Sequence, residues 1–191
     1  MLSLVFCALA PLLLQIFEES NTYIASRELK RLRDEVMPPD VEIVVKPIGF
    51  VRTEAVGDEV KDKNRISQII IHAEFAEALD GIEEFSHLFV LFWLNHVSRE
   101  DVRLKVHPRG REDLPLLGVF ATRTMYRPNP IGLTLVELVK VEGNVLTVRG
   151  LDAFDGTPVL DIKPFDRWDT AKDAKVPRWW TKLENEKARS P

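Results

Sequence analysis

LGVFATRTMYRPNPIGLTLVELVKVEGNVLTVRGLDAFDGTPVLDIKPF, residues 117–165, decides the fold. The runs GLTLVELVKV, NVLTVRGLD and PVLDIKPF are rich in β-branched and apolar residues and read as strands. The first two meet at Glu142-Gly143-Asn144, where Gly and Asn tolerate the positive φ of a tight hairpin. Two polar clusters separate the runs. Arg123 to Gly132 gathers Arg123, Tyr126, Arg127 and Asn129 around Pro128 and Pro130, whose fixed φ bars a helix and predicts a rigid loop. Leu151 to Lys163 sets Asp152, Asp155 and Asp161 on or beside a Gly156-Thr157-Pro158 turn, more acid than packing alone asks for.

Upstream the pattern continues. VEIVVKPIGFVR (Val41 to Arg52) predicts a strand with Pro47 at an edge or bend, and a charged loop from Thr53 to Asn64 leads into a second strand, RISQIIIHAEF. FAEALDGIEEF predicts a short helical turn interrupted at Gly81. SHLFVLFWLNHV is too short to span a bilayer and predicts a buried central strand, with His87 at its entrance and Asn95 and His96 at its exit. VRLKVH predicts a half-buried strand. At least seven short strands with little helix predict a mainly β domain over 41–166, a small closed or partly closed β-barrel with short helices. Residues 167–191 form a tail whose Trp168, Trp179 and Trp180 cover the barrel or form a partner surface, the first being expected. Residues 1–40 form an added extension: an uncharged apolar stretch over 1–17, then a helix from Asn21 to Val36. The apolar stretch lacks a basic start and contains Pro11, so membrane association is open but not favoured.

A chain of 191 residues with 45% apolar content can bury one sizeable core. Its net charge of -4 argues against global nucleic-acid affinity. Between Arg99 and Arg127, however, seven basic residues stand against four acids, which suits either a phosphate-contacting surface or a solvated charged loop. The single cysteine, Cys7, excludes an internal disulfide and fits a reducing, cytoplasmic setting. The histidine spacings of 15, 9 and 11 match no short metal-ligand pattern, so no metal is implied. GxGxxG, P-loop, GxSxG and HExxH motifs are absent from the sequence, leaving the two polar clusters as the candidate site.

Three blocks, FSHLFVLFWLNHV, GVFATRTMYRPNPIGLTLVEL and LDAFDGTPVLDIKPF, together resemble the TsaA-like, or TrmO-like, family of S-adenosylmethionine-dependent tRNA methyltransferases, from about Val45 to Phe165. The resemblance implies a non-Rossmann β-barrel, a homodimer with S-adenosylmethionine near the subunit interface, and methylation of N6 of threonylcarbamoyl-modified adenosine 37 in tRNA. Some relatives carry a further C-terminal domain, whereas 26 residues follow Phe165 here. The acceptor can therefore also be a small molecule or another RNA, or the barrel a non-catalytic cofactor- or RNA-binding module.

S-adenosylmethionine needs carboxylate acceptors, a cationic donor and an apolar slot. On that chemistry Arg123 faces the methionine carboxylate or a phosphate, Asp152 and Asp155 the ammonium or ribose hydroxyls, and Leu133 with Phe154 the adenine. Alignment with the family's cofactor contacts adds Arg65, Asn95 and His96. For the reaction, Asn129 accepts from N6 or merely caps its Pro-rich turn, and Tyr126 or Arg127 stacks on the base or meets its phosphate. Asp161 takes the proton or simply pairs with Lys163 or Arg127, the second role being the simpler one.

Overall fold

The computed structural model describes residues 42–189; the expectations for 1–40 fall outside them. The compact unit begins at Val45 and includes the tail. Among the described residues eight strands form: β1 (Gly49–Arg52), β2 (Ile66–Ile71), β3 (His87–Trp93), β4 (Lys105–Val106), β5 (Leu117–Gly118), β6 (Ile131–Glu142), β7 (Val145–Arg149) and β8 (Pro158–Pro164), followed by an α-helix, α1 (Arg178–Arg189). Six of them close an antiparallel barrel in the order β1-β2-β7-β6-β3-β8, while β4 and β5 pair as a separate ribbon. The expected closed barrel is what the chain builds.

Alternation explains the closure. Along β3, Leu88, Val90 and Phe92 point inward while Phe89, Leu91 and Trp93 point out, and β6 answers with Thr134 and Val136 inside. Inward residues from the barrel strands, including Val51, Ile69, Ile71, Leu146, Val148 and Val159, make one core with Leu151 and Ala153. Each such aliphatic side chain contributes about 1.5–3 kcal/mol on burial. The long β6 serves two neighbours: its first half pairs with β3 (Trp93↔Ile131 to His87↔Glu137) and its second half with β7 (Glu137↔Arg149 to Glu142↔Val145). Gly143 at φ 57° and Asn144 form the expected hairpin turn, and Asn144 Nδ2 donates to the Ile71 carbonyl, tying the turn to β2.

Several expectations need correction. The strand expected over 41–52 starts only at Gly49; residues 42–47 are irregular and Ile43, Val44 and Val45 are exposed. Pro47 has no N–H to donate, and the first main-chain bond to β8 is the Ile48 N–H to the Val159 carbonyl at 2.8 Å. VRLKVH shrinks to the two residues of β4, which pair with β5 outside the barrel, leaving Leu104 exposed. Trp168 does not cover the barrel: it is 96% exposed, in a turn capped by the Asp166 carboxylate, which accepts from the Trp168 N–H. Trp179 and Trp180 pack edge to face on each other at the start of α1.

Candidate active site

In an antiparallel barrel, successive connections fall at alternate ends. Here the β1–β2 loop (53–65), the long β3–β6 connection (94–130) and the β7–β8 loop (150–157) therefore emerge at one end. The sheet topology thus brings ten of the expected site residues, from Arg65 to Asp155, onto three neighbouring loops at that end, with Leu133 just inside β6. Asp161 lies farther along β8, two strands from Leu133 across Leu91.

Specific contacts knit the loops together. The His96 and Phe154 rings meet edge to face at 5.7 Å, joining the β3 exit to the acidic loop. The Leu94 N–H donates to the Pro130 carbonyl at 2.8 Å, closing the neck of the 94–130 connection. Asp155 Oδ1 accepts the Thr53 N–H at 3.0 Å, and the Gly156 N–H donates to Val51, so the acidic loop is clasped to the end of β1. The Gly150 N–H donates to the Arg65 carbonyl at 2.9 Å, and Lys63 Nζ donates to the Gly150 carbonyl. Above that junction Arg65 pairs with Glu59 at 3.2 Å, and its buried Nε is the one buried side-chain polar atom without a partner among the described residues. Lys61 is held above its usual range, chiefly by its hydrogen bond to Asp58 and in smaller part by the charge of Asp152.

The first polar cluster is rigid, as its prolines require. Arg123 Nη2 donates to the Leu133 carbonyl at 2.5 Å, which leaves the rest of its guanidinium facing solvent. Arg127 turns inward, Nη1 donating to the Thr122 and Thr124 carbonyls at 3.4 and 3.3 Å, so it braces the turn. Tyr126 is exposed on one side and lies under the Arg103 guanidinium on the other, 5.9 Å from ring centroid to Cζ. The Asn129 carbonyl accepts the Ile131 N–H, while its side chain is exposed and makes no hydrogen bond among the described residues. Asp161 pairs with Lys163 at 2.7 Å and accepts its neighbour's N–H from Ile162, the simpler of its two expected roles.

The basic segment needs one revision. Arg111, read as a candidate phosphate contact, is held by Asp113 and by Glu186 of α1, and Lys182 of α1 also reaches Asp113 at 2.7 Å. That network docks the tail helix and takes Arg111 out of the free cations. Sequence reasoning missed Thr53, which clasps Asp155 from 102 positions away through its main chain and so carries no side-chain signal. Arg103, counted there only as one of the segment's basic residues, lies over the Tyr126 ring 23 positions on, a pairing the sequence did not signal.

Residues 56–169 match the model of the tRNA-methyltransferase O N-terminal domain. The chain belongs to the tRNA-methyltransferase O family. Among family relatives, a Methanothermobacter thermautotrophicus protein named probable S-adenosyl-L-methionine-binding protein is 47% identical over 131 residues, covering 66% of this chain and 92% of the relative. A mouse protein named tRNA (adenine(37)-N6)-methyltransferase is 49% identical over 88 residues, 46% of this chain and 20% of its own. The crystal structure of TrmO from Pseudomonas aeruginosa superposes with a TM-score of 0.57 at 33% identity, covering 71% of this chain and 62% of that one. The tRNA-methyltransferase O barrel is thus common ground, while this chain spans less than two thirds of the solved TrmO chain.

Proposed function

We propose that the chain is an S-adenosylmethionine-dependent methyltransferase acting on N6 of adenosine 37 in tRNA, in its threonylcarbamoyl-modified form, in the cytoplasm. The observation that carries this reading is the convergence of the cationic, acidic and aromatic loops at one barrel end in a chain of this family. The names of the mouse and archaeal relatives support the acceptor and the cofactor.

The residues present fit S-adenosylmethionine. Arg123 offers most of a guanidinium to a carboxylate, Asp152 is exposed for an ammonium or ribose hydroxyl, and the orphaned Arg65 Nε gives a buried donor in want of an acceptor. Phe154, 36% exposed and propped by His96, and Leu133, 45% exposed, offer apolar faces for adenine. Asp155 is partly spent on Thr53, so its work is to hold the loop that carries Asp152 and Phe154. Bound S-adenosylmethionine supplies a methyl group made electrophilic by the sulfonium. The acceptor nitrogen is poor because its lone pair is delocalised, so positioning is the chain's larger task. The free side-chain carbonyl of Asn129, on a turn fixed by two prolines and braced by Arg127, is suited to accept from N6 and orient it.

The pairing also favours a homodimer. Trp93↔Ile131, Leu91↔Leu133 and Phe89↔Leu135 place an apolar stripe on the outer barrel wall beside the site, with Trp93, Ile131, Leu133 and Leu135 each more than a third exposed. A second copy lying across this stripe would remove it from water. The test is calorimetric titration of S-adenosylmethionine together with light scattering. Arg123→Ala and Asp152→Ala are expected to weaken binding at least tenfold without loss of fold, and Leu135→Asp to shift a dimer toward monomer. Unchanged affinity in both site variants would reject the assignment, and a wild-type monomer would reject the dimer.

A further inference from the structure

Resting on the RNA reading above, we propose that the β4–β5 ribbon and the turns at its two ends form a second RNA-contact surface, in which Arg109 meets a backbone phosphate and Phe120 stacks on an unpaired base of the anticodon loop. Arg109 is the one non-glycine residue with positive φ among the described residues, at 56°, a left-handed conformation that costs an arginine and is retained only where its surroundings impose it. The surroundings do so. His107 Nδ1 and the Leu114 carbonyl bridge the loop at 2.7 Å, the Gly110 N–H returns to His107, and Arg111 with Asp113 fastens it to Lys182 and Glu186 of α1. The braced loop holds Arg109 out to solvent, and its side chain has no hydrogen bond or ion pair among the described residues.

At the ribbon's other end Phe120 is 77% exposed on the Val119–Ala121 turn. That turn is closed by the Thr122 N–H and hydroxyl, both donating to the Val119 carbonyl, and anchored by buried Val119. A large apolar ring held outward by a rigid turn is a stacking platform prepaid in conformational entropy. The ribbon is two residue pairs long, about 7 Å, so one short run of nucleotides can touch both ends. Lys105 lies exposed between them, and Arg103 over Tyr126 links the ribbon to the turn that bears Asn129. Arg109 and Lys105, with no ion pair among the described residues and an exposed ring beside them, fit a polyanion with flat faces, namely single-stranded RNA, better than an acidic protein surface.

The two contacts carry different signatures. With the full chain and an anticodon stem-loop oligoribonucleotide, binding is measured over a series of salt concentrations. Arg109→Gly removes the phosphate contact and also relieves the left-handed backbone. It is expected to weaken binding and reduce the salt slope by roughly 0.7–0.9, with Tm equal to or above wild type. Phe120→Ala is expected to cost roughly 5- to 150-fold in affinity with the slope unchanged. Neither variant should alter S-adenosylmethionine affinity. An unaltered slope in Arg109→Gly, or wild-type binding by Phe120→Ala, overturns the proposal, as does a Phe120→Ala loss that follows a fall in oligomeric mass. A wild-type chain that binds no RNA overturns the underlying reading instead.

Discussion

Gly132 sits where the candidate site joins the barrel, and replacing it by alanine tests how tightly the two are coupled. A Cβ at this position would stand 2.2, 2.4 and 2.7 Å from three atoms of the Phe92 ring, its partner across β3. Phe92 is 3% exposed, so the ring cannot swing into solvent; it must retreat into the core by more than about 1 Å to reach ordinary carbon contact near 3.5 Å. Overpacking of this kind costs about 1–3 kcal/mol. Gly132 is outside the left-handed region, so alanine recovers about 0.4–1 kcal/mol through the unfolded chain. The net expectation is a loss of about 1–2 kcal/mol, or roughly 2–8 °C in Tm for a chain of this size. Calorimetry on Gly132→Ala, Phe92→Leu and the double variant isolates the clash, because the smaller side chain should make the alanine nearly harmless. The carbonyl of the next residue, Leu133, holds Arg123, so Gly132→Ala should also weaken S-adenosylmethionine binding. A Gly132→Ala chain that melts with wild type would refute the packing argument, and additive losses in the double variant would place the cost elsewhere.

Two further outcomes follow from the ion pairs and the clasp. Asp113 and Glu186 are held below the usual carboxylate range, first by hydrogen bonds from Arg111, with Lys182 adding to both. A depressed folded-state pKa means their stabilisation is present above the unfolded values near 4 and is lost as pH falls through the folded ones. Amide protection in α1, taken relative to the intrinsic exchange rate at each pH, should accordingly hold from neutral pH to about 4 and fall below it, and equal protection at both pH values would contradict a docking role. At the acidic loop, Asp155→Asn keeps an oxygen for the Thr53 N–H while Asp155→Ala does not. S-adenosylmethionine affinity should survive the first and fall several-fold in the second; equal losses would mean that the charge of Asp155, rather than its clasp, matters.

How much was legible depended on the range of each interaction. The β6–β7 hairpin was readable because Gly143 and Asn144 advertise the turn within two residues, and β3 because its apolar run is bounded by polar exits. The candidate site was readable as two polar clusters interrupting strands. Their convergence with Arg65 needed the closed strand order, which brings the β1–β2, β3–β6 and β7–β8 connections to one end. What stayed hidden was long-range or spent on the main chain: the Asp155 clasp to Thr53 and the Arg111 link to Glu186, 75 positions apart. Propensity misled at Ile43 to Val45, which look like strand but precede the first hydrogen-bond partner that β8 provides. Trp168 misled in the same way, since burial was inferred from side-chain type where a capped turn holds the ring outward.

The most direct measurement is methyl transfer from labelled S-adenosylmethionine to tRNA purified with and without the threonylcarbamoyl group on adenosine 37, using wild type, Asn129→Ala and Asp152→Ala. Label on N6 of the modified adenosine alone, lost or reduced at least a hundredfold in Asn129→Ala and accompanied by weakened cofactor binding in Asp152→Ala, is the expected result. Cofactor binding with no label on either tRNA would contradict the account and point to a different acceptor or to a binding module.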